Sequence, residues 1–139
     1  MKLFASLLAA VLLVTACSMA SVPERMDRLV TKAEENHDKY TADDWQDFKT
    51  EFQDLLYEYS ENKDKYTSEE KSLVTKCVGR YVKLLAKHSV KDVLVFLDVV
   101  EGMLPEVWGM VKDLAKEYIK AKIGDGLIGS FLDLNEMLE

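Results

Sequence analysis

Histidine, cysteine and proline are scarce in this chain of 139 residues, which contains two of each. The two histidines, His37 and His88, are far apart, and neither has a cysteine or a second histidine at the spacing of a metal site. No pairing of a nucleophile with a general base stands out either. We therefore expect no catalytic residue, no metal ligand and no cofactor, and we do not expect an enzyme.

Two short patterns resemble ligand-binding motifs but lack the remainder of each motif. Asp43, Asp44, Asp47 and Glu51 could attract a cation, yet the central Gly and the twelfth-position Glu of a calcium loop are missing. Acidic residues in a first helical turn are also stabilised by the helix dipole. Residues 124–129 read GDGLIG, but a helix precedes them where a dinucleotide site needs a strand. We interpret the two patterns as a helix start and a turn.

Basic residues are fewer than acidic ones, with 18 Lys and Arg against 25 Asp and Glu. The formal net charge of −7 argues against a nucleic-acid partner, whose phosphates need clustered positive charge. It also argues against electrostatic docking on anionic lipid. Any attachment to a membrane must therefore come from another feature of the chain.

That feature lies at the N-terminus, where the apolar run 3–14 is broken only by Ser6. At about a dozen residues it has the length of a signal-peptide core and is too short to span a bilayer. It follows Lys2 and ends in Val14-Thr15-Ala16-Cys17, which resembles the lipobox of bacterial lipoproteins. The resemblance implies cleavage of the signal peptide 1–16 and lipidation of Cys17 with diacylglyceryl and a further acyl chain such as palmitate. The lipid would be a membrane anchor.

The alternative is an ordinary secretory signal peptide that is cut after Ala20 and discards Cys17. With lipidation, residues 17–22 form a tether and residues 23–139 a single helical domain. Cys77 is then the only other cysteine, so no intrachain disulfide can form and packing alone must stabilise the core. Cys77 falls within an apolar helical arc, which favours a buried thiol, and an intermolecular bridge remains open.

A ten-residue block occurs twice, as ENHDKYTADD at 35–44 and ENKDKYTSEE at 61–70. In each block a Thr is followed three positions later by an acidic residue, in the arrangement of a helix-capping box. The pairs are Thr41 with Asp44 and Thr67 with Glu70. Each block therefore predicts the start of a helix rather than a ligand loop.

Apolar residues recur at helical spacing throughout, and no segment alternates at the period of a strand. We predict an all-α protein, a small bundle of about four helices. The helix after the second block has the widest apolar arc and should be central. The charged stretch 23–36 carries only a thin apolar stripe, so it should be a lightly packed helix or a partly frayed stalk.

The segment 93–118 keeps one apolar phase across Pro105. This predicts a long apolar helix kinked near Pro105, or two nearly collinear helices. Gly124 would end the helix. A short C-terminal tail would then dock back on the bundle through Leu127, Ile128, Phe131, Leu132 and Leu134.

Residues 40–85 follow the pattern YTxxDWxxFxxEFxxLxxxYxxNKxxYTxxEKxxVxxxxGRYxxLL. Together with the lipobox, this region resembles a group of uncharacterised short helical lipoproteins from Bacteroides-type Gram-negative bacteria. The resemblance implies a cell-envelope location and supplies no catalytic residue. Surface-displayed members tend to carry an acidic run after the Cys, and residues 18–21 have none. The implied position is the outer membrane, on the leaflet facing the periplasm.

Our leading hypothesis is a non-enzymatic, lipid-anchored adaptor or accessory module that binds another envelope protein. Its partner site would be an apolar surface left over on 93–119, with Arg80 and Trp108 as interaction residues. The alternatives are a periplasmic binder of small apolar ligands and an inhibitor of an envelope enzyme or toxin. In the binder the aromatic side chains would line a pocket, although core packing also accounts for them: Trp45, Phe48, Phe52, Tyr59, Tyr81, Phe96 and Trp108. The sequence does not indicate the oligomeric state.

Overall fold

A computed structural model describes residues 20–123 of the chain. The signal peptide 1–16, the lipidated Cys17, the GDGLIG turn and the C-terminal tail are predictions that lie outside the described residues.

The described residues form five α-helices and contain no strand. The helices are α1 (Val22–Asn36), α2 (Ala42–Glu61), α3 (Ser68–His88), α4 (Val90–Met103) and α5 (Trp108–Ile123). Three short 3₁₀ turns join them, at His37–Lys39, Lys63–Lys65 and Pro105–Val107. The all-α prediction is confirmed. The prediction of about four helices is wrong by one, because the segment around Pro105 separates two helices.

Both repeated blocks form the capping boxes that their spacing predicts. In the first, the Thr41 hydroxyl accepts from the Asp44 amide at 3.1 Å and the Asp44 carboxylate accepts from the Thr41 amide at 3.0 Å. In the second, the corresponding bonds between Thr67 and Glu70 are 3.1 and 2.9 Å. Each box satisfies two amides that would otherwise lack a partner at the helix start. The repeated blocks are thus the corners of the bundle.

Ring contacts show that α2 and α3 are antiparallel. Trp45, at the start of α2, stacks on His88 at the end of α3, with ring centroids 4.2 Å apart. Seven residues further along α2, Phe52 stacks on Tyr81, which lies seven residues earlier in α3, at 3.9 Å. Residue numbers thus rise along α2 where they fall along α3. The second repeated block, which joins the two helices, therefore reverses the direction of the chain.

The chain reverses again at Pro105, which contradicts the prediction of one kinked helix or two collinear ones. Leu104 leaves the helical conformation (φ −133°, ψ 63°) and Pro105 begins a 3₁₀ turn. Beyond the turn, α5 runs alongside α3 in the same direction, so that Lys122 reaches the Lys87 carbonyl at 2.9 Å. The apolar phase persists across Pro105 because α4 and α5 each turn one face to the same core.

Helix α1 is well packed, so the prediction of a lightly packed or frayed stalk is wrong. It lies against both α2 and α3, and Met26, Val30 and Ala33 have no exposed surface. A narrow apolar stripe is sufficient here because it enters the groove between two other helices. Charged side chains on either side of the stripe remain outside that groove.

Helix α3 is the central element, as predicted from its wide apolar arc. It packs against α1, α4 and α5 and contributes buried residues from Val74 to Ala86. One of them, Cys77, has no exposed surface, which confirms the prediction of a buried thiol. None of the described helices is long and apolar enough to cross a membrane.

We expect Thr41→Ala and Thr67→Ala each to lower the free energy of unfolding by about 1 kcal/mol, the usual effect of losing an N-cap hydroxyl. Chemical denaturation followed by circular dichroism would measure the change. Thr41→Ser and Thr67→Ser are the matched controls, since serine keeps the capping oxygen and should retain nearly all of the stability. Equal losses in the alanine and serine variants would contradict a capping role.

Candidate functional site

Arg80, singled out as an interaction residue, lies on α3 and turns its guanidinium towards α1. Its Nε donates to Glu34 Oε2 at 3.1 Å and its Nη2 donates to Glu34 Oε1 at 2.6 Å, which makes a two-point ion pair. Nη1 donates to Asp27 Oδ1 at 2.6 Å, and Nη2 also donates to the Thr31 hydroxyl at 2.8 Å. The planar guanidinium therefore joins three residues spaced along one face of α1.

The Arg80 cluster sits at the protein surface, with 31% of the arginine side chain exposed. The hydrogen bonds from Arg80 hold the pKa of Glu34 below its ordinary value, because they favour the charged carboxylate. Four of the five guanidinium donors form hydrogen bonds within residues 20–123, and the fifth has no acceptor among those residues. The principal role visible for Arg80 is to attach α1 to α3, and a contact with a partner stays a prediction.

Gly79, the residue beside Arg80, allows α5 to approach α3 closely. A Cβ atom at this position would lie 3.3 Å from Leu114 Cδ1. A close helix crossing therefore accounts for the glycine, whose helix propensity is about 1 kcal/mol less favourable than that of alanine. No ligand-binding role is needed to explain it.

Trp108, the second predicted interaction residue, is the first residue of α5 and is half-buried against the core. The Lys112 ammonium lies 5.7 Å from the centroid of its ring, within cation–π range. Trp108 and Arg80 are on different helices and have different partners, Lys112 for the tryptophan and residues of α1 for the arginine. Trp108 contributes part of its surface to the fold, and its role in binding a partner stays a prediction.

An apolar stripe on α4 lies at the edge of the core and is partly exposed. Val95 is 54% exposed, Val99 and Met103 follow at intervals of four residues, and both are half-buried. Next to them, a Cβ built on Gly102 would meet no atom within 4 Å. Intervals of four place these residues on one side of the helix. We call Val95, Val99, Gly102 and Met103 the α4 stripe.

Most of the aromatic side chains proposed as pocket walls pack on one another instead. The Tyr81 ring is stacked on Phe52, lies 4.7 Å from Phe96 in an edge-to-face contact and tilts against Phe48 at 5.3 Å. Trp45 packs edge-on against both Tyr40 and Phe48. These rings fill the centre of the bundle, as the core interpretation predicts.

The hydroxyl of Tyr81 is the exception to this apolar core. The side chain is fully buried, and its oxygen has no hydrogen-bond partner among the described residues. Burial raises the pKa of Tyr81 well above its usual value, and Gln53 opposes this effect from nearby without reaching hydrogen-bond geometry. An unbonded buried hydroxyl costs about 1–3 kcal/mol.

A small polar cavity of about 210 Å³ lies next to Tyr81, between α2, α3 and α4. On one side of it the Lys49 ammonium donates to the Asp92 carboxylate at 3.0 Å, and both side chains are mostly buried. Gln46, Thr50 and Gln53 supply further polar groups. The cavity is smaller than the 300–1,000 Å³ of most ligand pockets, so we interpret it as a hydration site.

The remaining polar candidates stay separate. His88 is stacked on Trp45, and burial lowers its pKa. His37 lies in the 3₁₀ turn between α1 and α2, with its Nδ1 atom 3.4 Å from Asp38 Oδ1. Burial raises the pKa of the Cys77 thiol to about 11, which disfavours the reactive thiolate. Between residues 20 and 123, no three His, Cys, Asp or Glu side chains are grouped to hold a metal ion.

Two features were missed by sequence reasoning. The unbonded hydroxyl of Tyr81 depends on three helices meeting, and no local pattern marks it. A groove between α3 and α5, lined by Lys83, Lys87 and Lys122, was also missed. Lys83 and Lys87 are four residues apart and so share one side of α3, a spacing from which a basic helix face could have been predicted. Lys122 lies beside them only because the chain reverses at Pro105.

A family model described as a domain of unknown function, DUF6565, matches residues 33–133. No curated protein and no solved structure matches the chain. The matched range starts near the end of α1 and includes α2 to α5, with Arg80, Trp108 and the α4 stripe. Asp27 and Thr31, two of the three residues bound by Arg80, lie before it.

We expect Arg80→Ala to lower the free energy of unfolding by about 1–2 kcal/mol, below the full value of charged hydrogen bonds because the cluster is partly solvated. The pKa of Glu34 is lowered in the folded state. The ionised Glu34 carboxylate therefore stabilises the fold above about pH 4.5, and this stabilisation is lost as pH falls below that value. The difference between wild type and variant should therefore shrink in acid. Denaturant titrations at several pH values would measure it.

Arg28→Ala is the matched control for that experiment, since Arg28 is exposed on α1 and forms no ion pair within residues 20–123. It should change stability by less than about 0.5 kcal/mol. A difference between wild type and Arg80→Ala that stays constant down to pH 3 would contradict the assigned ion pair.

For the Tyr81 hydroxyl, we expect Tyr81→Phe to lower the free energy of unfolding by about 1 kcal/mol, because it removes the hydrogen bond between the buried hydroxyl and water in the adjoining cavity. Tyr57→Phe is the control, since that side chain is 55% exposed and its hydroxyl is available to water. Thermal and chemical denaturation of both variants would measure the effect. A rise in stability for Tyr81→Phe would show that the hydroxyl has no hydrogen bond in solution and would contradict the hydration site.

Proposed function

This chain belongs to the DUF6565 family, and we propose that it is a non-enzymatic, lipid-anchored protein of the bacterial cell envelope that acts as an adaptor or accessory module. The observation that carries the proposal is the partly exposed α4 stripe, in which Val95 is the most exposed side chain. The opposite side of α4 is anchored in the core by Val93, Phe96, Leu97 and Val100. A rigid, partly apolar helix face is a common means of binding a protein groove.

The anchor is supported by the sequence Val14-Thr15-Ala16-Cys17 after an apolar run. Two or three acyl chains on Cys17 would hold the protein firmly, since each buried CH₂ contributes about 0.8 kcal/mol and a single chain binds only marginally. The absence of an acidic run at 18–21 supports the outer membrane, on the side facing the periplasm. A partner in this location would be another envelope protein.

Lipidation would also orient the bundle. Residues 17–21 can extend at most about 17 Å, so the start of α1 would stay close to the membrane. Arg25, near that start, lies 3.7 Å from Glu58 at the end of α2, and Lys63 contacts Glu106 at 3.2 Å. The Pro105 turn and Trp108 are therefore at the tethered end. The α4 stripe would run away from the membrane, accessible from the side.

Polar residues flank the α4 stripe and would form the rim of an interface. Lys91, Asp98 and Glu101 are exposed on the same helix. An apolar centre with a charged rim is the usual anatomy of a transient protein interface. The partner would present an apolar groove to Val95, Val99 and Met103. Arg80, on a different helix, would then contribute to stability more than to this interface.

Photo-crosslinking in the native host tests the α4 stripe as the partner site. A photo-crosslinking residue at Val95 should capture a discrete envelope protein, whereas the same residue at exposed Glu69 on α3 should not. Val99→Asp, combined with the probe at Val95, should reduce capture because it places a charge in the apolar centre. Equal capture from both probe positions, or capture that Val99→Asp leaves unchanged, would refute the stripe as the partner site.

The anchor is tested in the same cells with Cys17→Ser. We expect the variant to leave the membrane fraction and lose its lipid mass, because no other acylated residue is proposed. A variant that remains membrane-bound would refute lipidation without bearing on the α4 stripe. The identity of the captured protein would also separate an adaptor from the alternative, an inhibitor of an envelope enzyme or toxin.

A further inference from the structure

A groove of about 340 Å³ lies between α3 and α5, near the C-terminal ends of both helices. Its volume is within the range typical of small-molecule sites. The groove is far from the tethered end and is separate from the α4 stripe. Its lining combines alanine and tyrosine with lysine: Lys83, Ala86, Lys87, Tyr118, Ala121 and Lys122.

Small side chains explain why the groove is open. At Gly79 the two helices touch, with the position of a Cβ only 3.3 Å from Leu114. Further along, Ala86 on α3 and Ala121 on α5 line the cleft, and neither side chain is large enough to fill it. Tyr118 is half-buried and closes one wall with its ring. The floor of the groove is therefore mostly apolar.

Three lysines line the groove beside this apolar floor, in a protein whose net charge is −7, and the charge of one of them, Lys83, also acts on Glu34 of α1. Lys83, Lys87 and Lys122 are exposed, and none has a carboxylate within 4.0 Å among residues 20–123. Lys122 donates to the Lys87 carbonyl at 2.9 Å, which holds it at the groove edge. The aliphatic stems of lysine extend the apolar wall while their charges stay in water.

We propose that this groove binds a single-chain fatty acid, with the alkyl chain on the apolar floor and the carboxylate among the three lysines. The charge pattern selects this ligand class, since an anionic head is attracted where a neutral or cationic head is not. The size of the groove favours one alkyl chain over a two-chain lipid. The inference is independent of the lipid anchor and of the α4 stripe.

The test uses the chain from residue 17 to 139 with Cys17→Ser, titrated with laurate and followed by calorimetry and native mass spectrometry. Dodecanol and dodecylamine have the same chain with a neutral and a cationic head. We expect saturable one-to-one binding of laurate and at least about tenfold weaker binding of the other two, a difference of about 1.4 kcal/mol. Equal binding of all three, or no binding of laurate, would overturn the proposal.

Variants locate the site. Lys83→Glu with Lys87→Glu should weaken laurate binding by about tenfold, and Ala121→Trp should abolish it by filling the groove while all three charges remain. Lys71→Glu with Lys76→Glu is the matched control, with the same charge change on the same helix outside the groove. Circular dichroism would establish that each variant is folded. Binding that is weakened equally by the control pair would overturn the assignment.

A chain ending at residue 123 tests whether the protein's own C-terminal segment, rather than a fatty acid, occupies the groove. This segment, residues 124–139, follows α5 in the sequence and contains apolar and acidic side chains without a Lys or Arg. If the shortened chain binds laurate and the full chain does not, the groove belongs to the protein's own C-terminal segment, and the proposal is overturned. Binding by both chains with similar affinity supports it.

Discussion

Burial of the wide apolar face of α3 is the constraint on which the rest of the structure depends. Its apolar arc is too wide for one neighbour to cover, so α1, α4 and α5 all pack against it while α2 reaches it through aromatic rings. Tyr81 lies at the centre of this arrangement, stacked on Phe52 and edge-on to Phe96. Removing α3 would leave the other helices without a shared core.

The polar residues of α3 acquire their roles from the helices on either side. Arg80 emerges beside α1 and binds it through three residues, whereas Lys83 and Lys87 emerge beside α5 and border the groove. Gly79 lies between these two environments and permits α5 to approach. A single turn of the central helix thus combines an ion-pair cluster, a close helix contact and the start of a groove.

The hypotheses for function fall on different parts of the bundle. The proposed lipid anchor precedes α1, and the proposed partner surface lies along α4. The proposed fatty-acid groove lies between the C-terminal ends of α3 and α5. Because these regions share few residues, each can be removed by substitution without loss of the others. The buried hydroxyl of Tyr81 and the Lys49–Asp92 pair form a fourth polar region, which we interpret as hydrated structure.

What the sequence alone determined is mostly local. The helix starts at Thr41 and Thr67 could be predicted because a capping box needs only residues three positions apart, and the all-α class followed from apolar spacing within single segments. The buried position of Cys77 could be predicted for the same reason.

Only the tertiary structure decided what depends on distant residues. The reversal at Pro105 could not be separated from a kink, because both keep the same apolar phase along the chain. The tight packing of α1 depends on the groove between α2 and α3, and the partners of Arg80 lie about fifty positions earlier in the sequence. Lys122 joins Lys83 and Lys87 only because α5 folds back along α3. Spacing within a segment cannot express these contacts, since their physical cause is which helix lies beside which.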